Sequence, residues 1–223
     1  MTPRFDPQLL PARPDLSFER PLWDAGLARV GGVDEAGRGA WAGPVAAGVV
    51  ILPCTSGIAD RLEGVRDSKQ MTPAQRTRWA EQIRAAALDW GVGFASPGEI
   101  DGLGILPATR LAVRRALACL AAPVEYLLVD FLVLPEVRVP QRPLIKGDAR
   151  SLSIAAASVL AKTARDALLV EMEGEYPGYS FACHKGYGTR AHQAALAALG
   201  PTPAHRKSFA PVRACLERFP PAD

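Results

Sequence analysis

From Arg29 onward the chain alternates between short apolar runs and amphipathic stretches. Arg29-Val-Gly-Gly-Val-Asp-Glu-Ala reads as a short strand, Gly37-Arg-Gly as a turn, and Pro44-Val-Ala-Ala-Gly-Val-Val-Ile-Leu52 as a second, buried strand. Together they predict a hairpin. Thr72-Pro73 is an N-cap followed by proline at the first helical position; Trp79, Ile83, Ala86 and Ala87 then recur on one face until Gly91 stops the helix. A strand follows near Gly91 to Ser96. After Gly104 a second helix is expected from about Pro107 to Pro123, and then an apolar strand, Val124 to Val129, that finishes at Asp130. Pro143-Leu-Ile reads as a last short strand. Lys146-Gly-Asp148 leads from it into a long helix, about Leu152 to Gly174, whose Ala155-Ala-Ala-Ser158 run permits close packing. Thr189 to Leu199 and Phe209 to Phe219 read as two more helices. Hairpin strands first, then strand and helix in alternation, predict an α/β fold: a mixed sheet flanked by helices.

Residues 1–28, rich in Pro, Arg and Asp and without sustained periodicity, read as a loosely ordered N-terminal arm. The 223 residues amount to one domain with a smaller appended segment, and 48% hydrophobic with 22% charged residues is an ordinary globular balance. The longest apolar stretch, Ala42 to Leu52, has eleven residues and contains Gly43 and Pro44, whereas a membrane-spanning helix needs about twenty. The start, Met1-Thr-Pro-Arg-Phe-Asp, lacks the pattern of a secretory signal, so a cytoplasmic location is expected. Cys54, Cys119, Cys183 and Cys215 form no C-x-x-C pair and read as reduced, mostly buried thiols.

A formal charge of +3 says little about partners, but its distribution says more. Between His184 and Arg218 stand Lys185, Arg190, Arg206, Lys207, Arg213 and Arg218 against the single acid Glu217, with His184, His192 and His205 among them. Such a segment can steer phosphates or be a solvated basic face.

Chemistry concentrates at strand ends. Asp34 and Glu35 are adjacent acids in an otherwise apolar or glycine strand, where neighbouring side chains point to opposite faces. One of them must therefore be held by something positive. Asp130 ends the run Tyr126-Leu-Leu-Val, and Asp148 follows Pro143-Leu-Ile-Lys-Gly. Each acid alone is explained by capping or an arginine partner, and Asp148 above all by capping the long helix. Several together are what a divalent cation requires, since Mg²⁺ and Mn²⁺ take oxygen ligands and offset carboxylate repulsion. Gly37-x-Gly39-x-x-Ala42 formally fits a dinucleotide fingerprint, but Gly43-Pro44 leads into another β-branched run where that motif needs a helix. No G-x-x-x-x-G-K-[ST] run occurs either.

The chain resembles the type 2 ribonuclease H family, in its ribonuclease HII branch. The resemblance rests on Gly32-Val-Asp-Glu-Ala-Gly-Arg-Gly39 with Ala42-Gly-Pro-Val45, Asp67-Ser-Lys69, Ile100-Asp101 and Leu128-Val-Asp130. It continues through Lys146-Gly-Asp148, Ile154-Ala-Ala-Ala-Ser-Val-Leu-Ala-Lys162 with Arg165-Asp166, and His184-Lys-Gly-Tyr-Gly-Thr189 with His192. These blocks keep the family's order over about residues 29–218. The resemblance implies an RNase H-like catalytic domain at 29–183 and a basic helical C-terminal extension at 184–223 that contributes to substrate binding. It implies an endonuclease acting on the RNA strand of RNA/DNA hybrids and 5′ of single ribonucleotides in duplex DNA, leaving 5′-phosphate and 3′-hydroxyl ends.

By motif position Asp34, Glu35 and Asp130 match the family's metal-binding carboxylates, with Mn²⁺ or Mg²⁺ as the ion, and Asp148 matches its fourth catalytic acid. The Gly37-Arg38-Gly39 turn and Tyr187 match its reader of the ribonucleotide, where missing β-carbons let the backbone approach the sugar. Lys185 and Arg38, then Lys146, Lys69 and Lys162, are candidate phosphate contacts. His184 and His192 suit either phosphate orientation or internal hydrogen bonding, and Ser158 suits packing. The chain departs from the family's pattern at Ala40-Trp41, at Phe131 where glycine is common, and at Gly104. Trp41, beside the glycine turn, is expected to alter affinity or junction preference. A monomer binding RNA/DNA hybrid or ribonucleotide-containing duplex is expected. The competing classes are a non-catalytic nucleic-acid binding module of the same fold and a DNA nuclease of resolvase type, which has no 2′-hydroxyl to read.

Overall fold

The computed structural model describes residues 10–218. Its elements, in chain order, are α1 (Arg20–Asp24), β1 (Val30–Ala36), β2 (Val45–Ile51), α2 (Ile58–Arg61), α3 (Pro73–Ala86), β3 (Asp89–Ala95), α4 (Pro97–Leu103) and α5 (Ile105–Ala118). They continue with β4 (Tyr126–Asp130), β5 (Gln141–Leu144), α6 (Leu152–Glu175), α7 (Phe181–His184), α8 (Arg190–Leu199) and α9 (Ala210–Leu216). The strands form one mixed sheet in the order β3-β2-β1-β4-β5. β1 pairs antiparallel with β2 and parallel with β4; β2–β3 is antiparallel and β4–β5 parallel.

The sheet is covered on both faces. Val33, Val45, Val49 and Ile51 pack with Ala108, Ala112 and Ala116 of α5 on one side. On the other, Val50 packs with α6 through Ala156, Ala157 and Leu160, and with Ile83 of α3. Two glycines set the distance of α6. A β-carbon at Gly32 would stand 2.2 Å from the backbone of Ser153, and one at Gly48 would stand 2.4 Å from the Ala157 carbonyl. With the small-residue run from Ala155 to Ser158 facing them, helix and sheet approach almost backbone to backbone.

The predicted hairpin is present, and the α/β layering follows the alternation of the sequence. α3 opens on the expected cap, a capping box between Thr72 and Gln75. It ends at Ala86 rather than Gly91, because Asp89–Ala95 pair with β2 in the register Ile51↔Asp89, and that ladder outcompetes further helix. α4 was not anticipated, although Ser96 and Glu99 form a second capping box with proline in the first turn; Gly98 and Gly102 obscured its period. The last predicted helix ends at Leu216, and Phe219 lies outside the described residues.

The N-terminal arm differs from expectation in its described part. Leu16 and Glu19 are buried, and Asp15 bridges to Ser151. The Glu19 carboxylate accepts from both the hydroxyl (2.6 Å) and the amide (3.0 Å) of Ser153 and from the Ser151 hydroxyl (2.6 Å), so it satisfies a buried first-turn amide of α6. Burial raises its pKa despite these bonds. The thiols differ too: Cys215 is buried, whereas Cys54, Cys119 and Cys183 are exposed, because they fall in a loop, at the end of α5 and in the one-turn α7. Among the described residues no helix is long and apolar enough to cross a membrane.

Candidate active site

The parallel pairing of β1 and β4 brings the strand-end acids together. Val33 lies opposite Val129, so Asp34 and Asp130 each follow a paired residue at the same edge of the sheet. By strand alternation both point to the α6 face, beside Gly32 and Leu128. Asp148 arrives from the short 3₁₀ turn Gly147–Ala149 between β5 and α6. One carboxylate oxygen from each of Asp34, Asp130 and Asp148 lies within 4.8 Å of the others. The amide of Gly147 donates to Asp130 Oδ1 at 2.7 Å, which ties the third acid to the turn that carries the fourth.

Three acids so close are costly when buried. Asp34 is 4% exposed, and its pKa is held well above the usual carboxylate range by burial first, then by the charges of Glu35, Asp130 and Asp148. Asp130 is raised to about 6, by burial and then by Asp148. The cation nearest the trio is Lys69, whose Nζ stands 3.5 Å from Asp148 Oδ2. The donor set, all carboxylate oxygens with mutual repulsion, fits a hard divalent cation and not a soft metal that prefers sulfur or imidazole.

Glu35 is not in this trio. It follows Asp34, on the opposite strand face, and pairs with Arg38 Nη1 at 2.9 Å. The cation that the adjacent acids require therefore sits on Glu35. Asp34 instead accepts from the amide of Glu35 at 2.7 Å, and the nearby Ser158 side chain offsets part of the rise in its pKa. Ser158, read as packing, also has a polar role, since its hydroxyl shares a hydrogen bond of 2.9 Å with Ser68.

Asp34, Glu35 and Asp130 line one cleft of about 620 Å³ with Gly37, Arg38, Gly39, Lys69, Lys162, Lys185 and Tyr187. The candidate reader and the acids therefore share a cavity. Lys146 is exposed, with left-handed backbone (φ 53°), and does not line this cleft. Lys162 is engaged with Asp166 at 2.7 Å and stands 5.3 Å from the Tyr187 ring centre. Phe131, directly after Asp130, is 68% exposed in left-handed backbone (φ 52°), the conformation that glycine adopts without strain.

In the basic segment Arg190, Lys207, Arg213 and Arg218 are exposed, and the histidines face inward. His184, His192, His205 and Arg206 are all buried. His192 Nδ1 contacts the Tyr187 carbonyl at 3.0 Å and its Nε2 contacts His205 Nε2 at 3.1 Å, while His184 Nε2 contacts the Tyr179 carbonyl at 2.7 Å. These histidines are internal supports. Trp41 lies behind the reader: a β-carbon on Gly188 would fall 2.3 Å from its ring.

Comparisons with known proteins show the family and the fold. A family model described as Ribonuclease HII matches residues 31–212. Ribonuclease HII of Synechococcus sp. (strain JA-3-3Ab) is 52% identical over 201 residues, 90% of each chain. Ribonuclease HII of Thermus thermophilus is 50% identical, over 92% of this chain and 97% of its own. The crystal structure of ribonuclease H2 from Pyrococcus horikoshii OT3 superposes with a TM-score of 0.71 at 27% identity, covering 86% of this chain and 98% of that one.

Proposed function

The chain belongs to the ribonuclease HII family and is a ribonuclease H, an endonuclease on the RNA of RNA/DNA hybrids, and from this premise we propose that it also cuts duplex DNA 5′ of single embedded ribonucleotides. On this reading it serves the removal of misincorporated ribonucleotides, as a cytoplasmic monomer. The observation that carries the site is the trio Asp34, Asp130 and Asp148, with oxygens within 4.8 Å of one another, of which Asp34 and Asp130 line one cleft with the glycine turn.

We assign Asp34, Glu35 and Asp130 to holding Mn²⁺ or Mg²⁺, with Asp148 as the fourth acid. When bound, such ions supply the charge that activates a water for in-line attack on phosphorus and stabilise the departing 3′ oxygen. The chain's own residues do the rest. The Glu35 amide orients Asp34, the Gly147 amide orients Asp130, and Lys69 pairs with Asp148. The Gly37–Gly39 turn and Tyr187 read the ribose 2′-hydroxyl, and Lys185, Arg38 and Lys146 meet phosphates. Residues 29–183 carry the chemistry and the segment from 184 completes substrate binding.

The test is cleavage of an end-labelled DNA duplex containing one ribonucleotide, with Mg²⁺, Mn²⁺ or EDTA, beside an all-DNA duplex. A metal-dependent cut only in the first, on the 5′ side of the ribonucleotide and leaving a 3′-hydroxyl, is the expected outcome. Binding without cutting indicates a nucleic-acid binding module, and equal cutting of the all-DNA duplex removes the turn and Tyr187 from the reading role.

A further inference from the structure

Arg165 and Arg206 are the largest fully buried side chains among the described residues, both at 0% exposure, and neither makes an ion pair there. Asp166, next to Arg165, is taken by Arg76 (3.1 Å) and Lys162 (2.7 Å). Two buried guanidiniums without a carboxylate are an expensive arrangement. They are also close enough that the charge of Arg165, after burial itself, helps to push the pKa of Arg206 down to about 9. A fold that needed only neutral packing here would not keep them.

Except for Arg206 Nη2, which is buried without a hydrogen-bond partner among the described residues, their donors go to main-chain carbonyls of two segments. Arg165 donates from Nε to Pro44 (2.8 Å), from Nη2 to Ala42 (3.0 Å) and from Nη1 to Lys185 (3.0 Å). Arg206 donates from Nε to Gly43 (3.0 Å) and from Nη1 to Arg38 (2.9 Å), and its own amide donates to Trp41 (2.8 Å). The carbonyls of Arg38, Trp41, Ala42, Gly43 and Pro44 are thus fixed by two residues. The stitch is completed by the amides of Trp41 and Ala42, which donate to Gly186 at 2.8 and 3.2 Å. The Arg165 guanidinium also stands 5.4 Å from the Tyr187 ring centre. Gly37, at φ 90°, leaves the room: a β-carbon there would lie 2.0 Å from Arg165 Nε.

We propose that Arg165 and Arg206 are positioning residues that bind the glycine turn and the Tyr187 loop into one rigid reader, set before the ribonucleotide arrives. The planar fork of arginine serves this better than lysine, since one guanidinium spans carbonyls from both segments. The inference rests on the ribonuclease reading, and it assigns to these residues the geometry of the reader and not contact with the substrate.

The test is single-turnover cleavage of the one-ribonucleotide duplex by the wild type, Arg165→Lys, Tyr187→Ala and the double variant, at saturating Mn²⁺, with duplex Kd measured in parallel. A rate constant under single turnover is unaffected by an inactive fraction, so a merely structural loss lowers the amplitude and leaves the rate. The expected result is a roughly 10- to 100-fold slower rate for Arg165→Lys with Kd within about threefold. The double variant is expected within about threefold of Tyr187→Ala alone, because both changes disable one unit. A wild-type rate in Arg165→Lys, or losses that multiply in the double variant, would overturn the proposal. If Arg165→Lys does not fold, Arg206→Lys takes its place in the same cycle with the same expected and overturning outcomes. Failure of the wild type itself to cut this duplex overturns the nuclease reading instead.

Discussion

Two regions next to the cleft hold charge of opposite sign. At the sheet edge Asp34, Asp130 and Asp148 crowd within 4.8 Å, and the cation nearest to them is Lys69 at 3.5 Å. Behind the Lys185–Tyr187 loop Arg165 and Arg206 lie fully buried, with carbonyl oxygens where a carboxylate would be expected. The acids answer their crowding by taking up protons more readily, and Asp130 is raised to about 6. The arginines answer theirs by hydrogen-bonding a loop from several donors at once. The first side holds more acid than cation, whereas the second is hydrogen-bonded within the chain at every guanidinium nitrogen but Arg206 Nη2. Chemistry is thus poised on one side and shape on the other.

This contrast is most sharply tested at Asp34. Asp34→Asn is expected to reduce turnover by about 1000-fold, with duplex binding retained, and to raise the melting temperature of the metal-free protein by a few degrees because like-charge repulsion is relieved. Near-normal cleavage by this variant would remove Asp34 from the metal site. On the other side the sign reverses. Arg206→Met leaves the Gly43 and Arg38 carbonyls without their donors and is expected to destabilise by about 2–4 kcal/mol, seen as a fall in denaturation midpoint. A stabilised Arg206→Met protein would show that the two sides do not differ in this way.

The histidines beneath the reader give the next effect. Burial, and then the charge of His192, lower the pKa of His205 from 6.5 to about 4, and the residue is 1% exposed. Below pH 6.5 the unfolded chain takes up a proton that the native state refuses. Stability is therefore lost as pH falls from about 6.5 to about 4, by up to roughly 3 kcal/mol. Denaturant midpoints across that range check it, and His205→Gln is expected to flatten the slope. The smallest effect belongs to Trp41, which props Gly188 from behind. Trp41→Leu is expected to alter cleavage rate or cut position within about threefold, through slackening of the loop; an unchanged cleavage pattern separates Trp41 from the reader.

The strand-end acids were legible because carboxylates interrupting apolar runs violate the pattern around them. Capping chemistry at Thr72 marked the start of α3 for the same reason, since it is local. The N-terminal arm was not legible: Glu19 is bonded to Ser151 and Ser153, more than 130 positions away, and nothing in its own neighbourhood announces that. The basic C-terminal segment is mixed: Arg190, Lys207, Arg213 and Arg218 are exposed, whereas Arg206 is buried. A charge count does not tell a solvated lysine from an arginine whose donors are spent on distant carbonyls.

The sequence by itself determined the α/β class, the strand ends that carry the acids, the glycine turn and the family. All of these rest on residue type and short spacing, which local sterics and hydrogen bonding enforce. Tertiary structure alone decided that Asp148, and not Glu35, completes the close trio, that Arg38 pairs with Glu35, and that Arg165 and Arg206 are bound to the turn. Those outcomes depend on a parallel strand register and on helix-to-sheet distances of a few ångströms, quantities that arise only when segments far apart in the chain pack together.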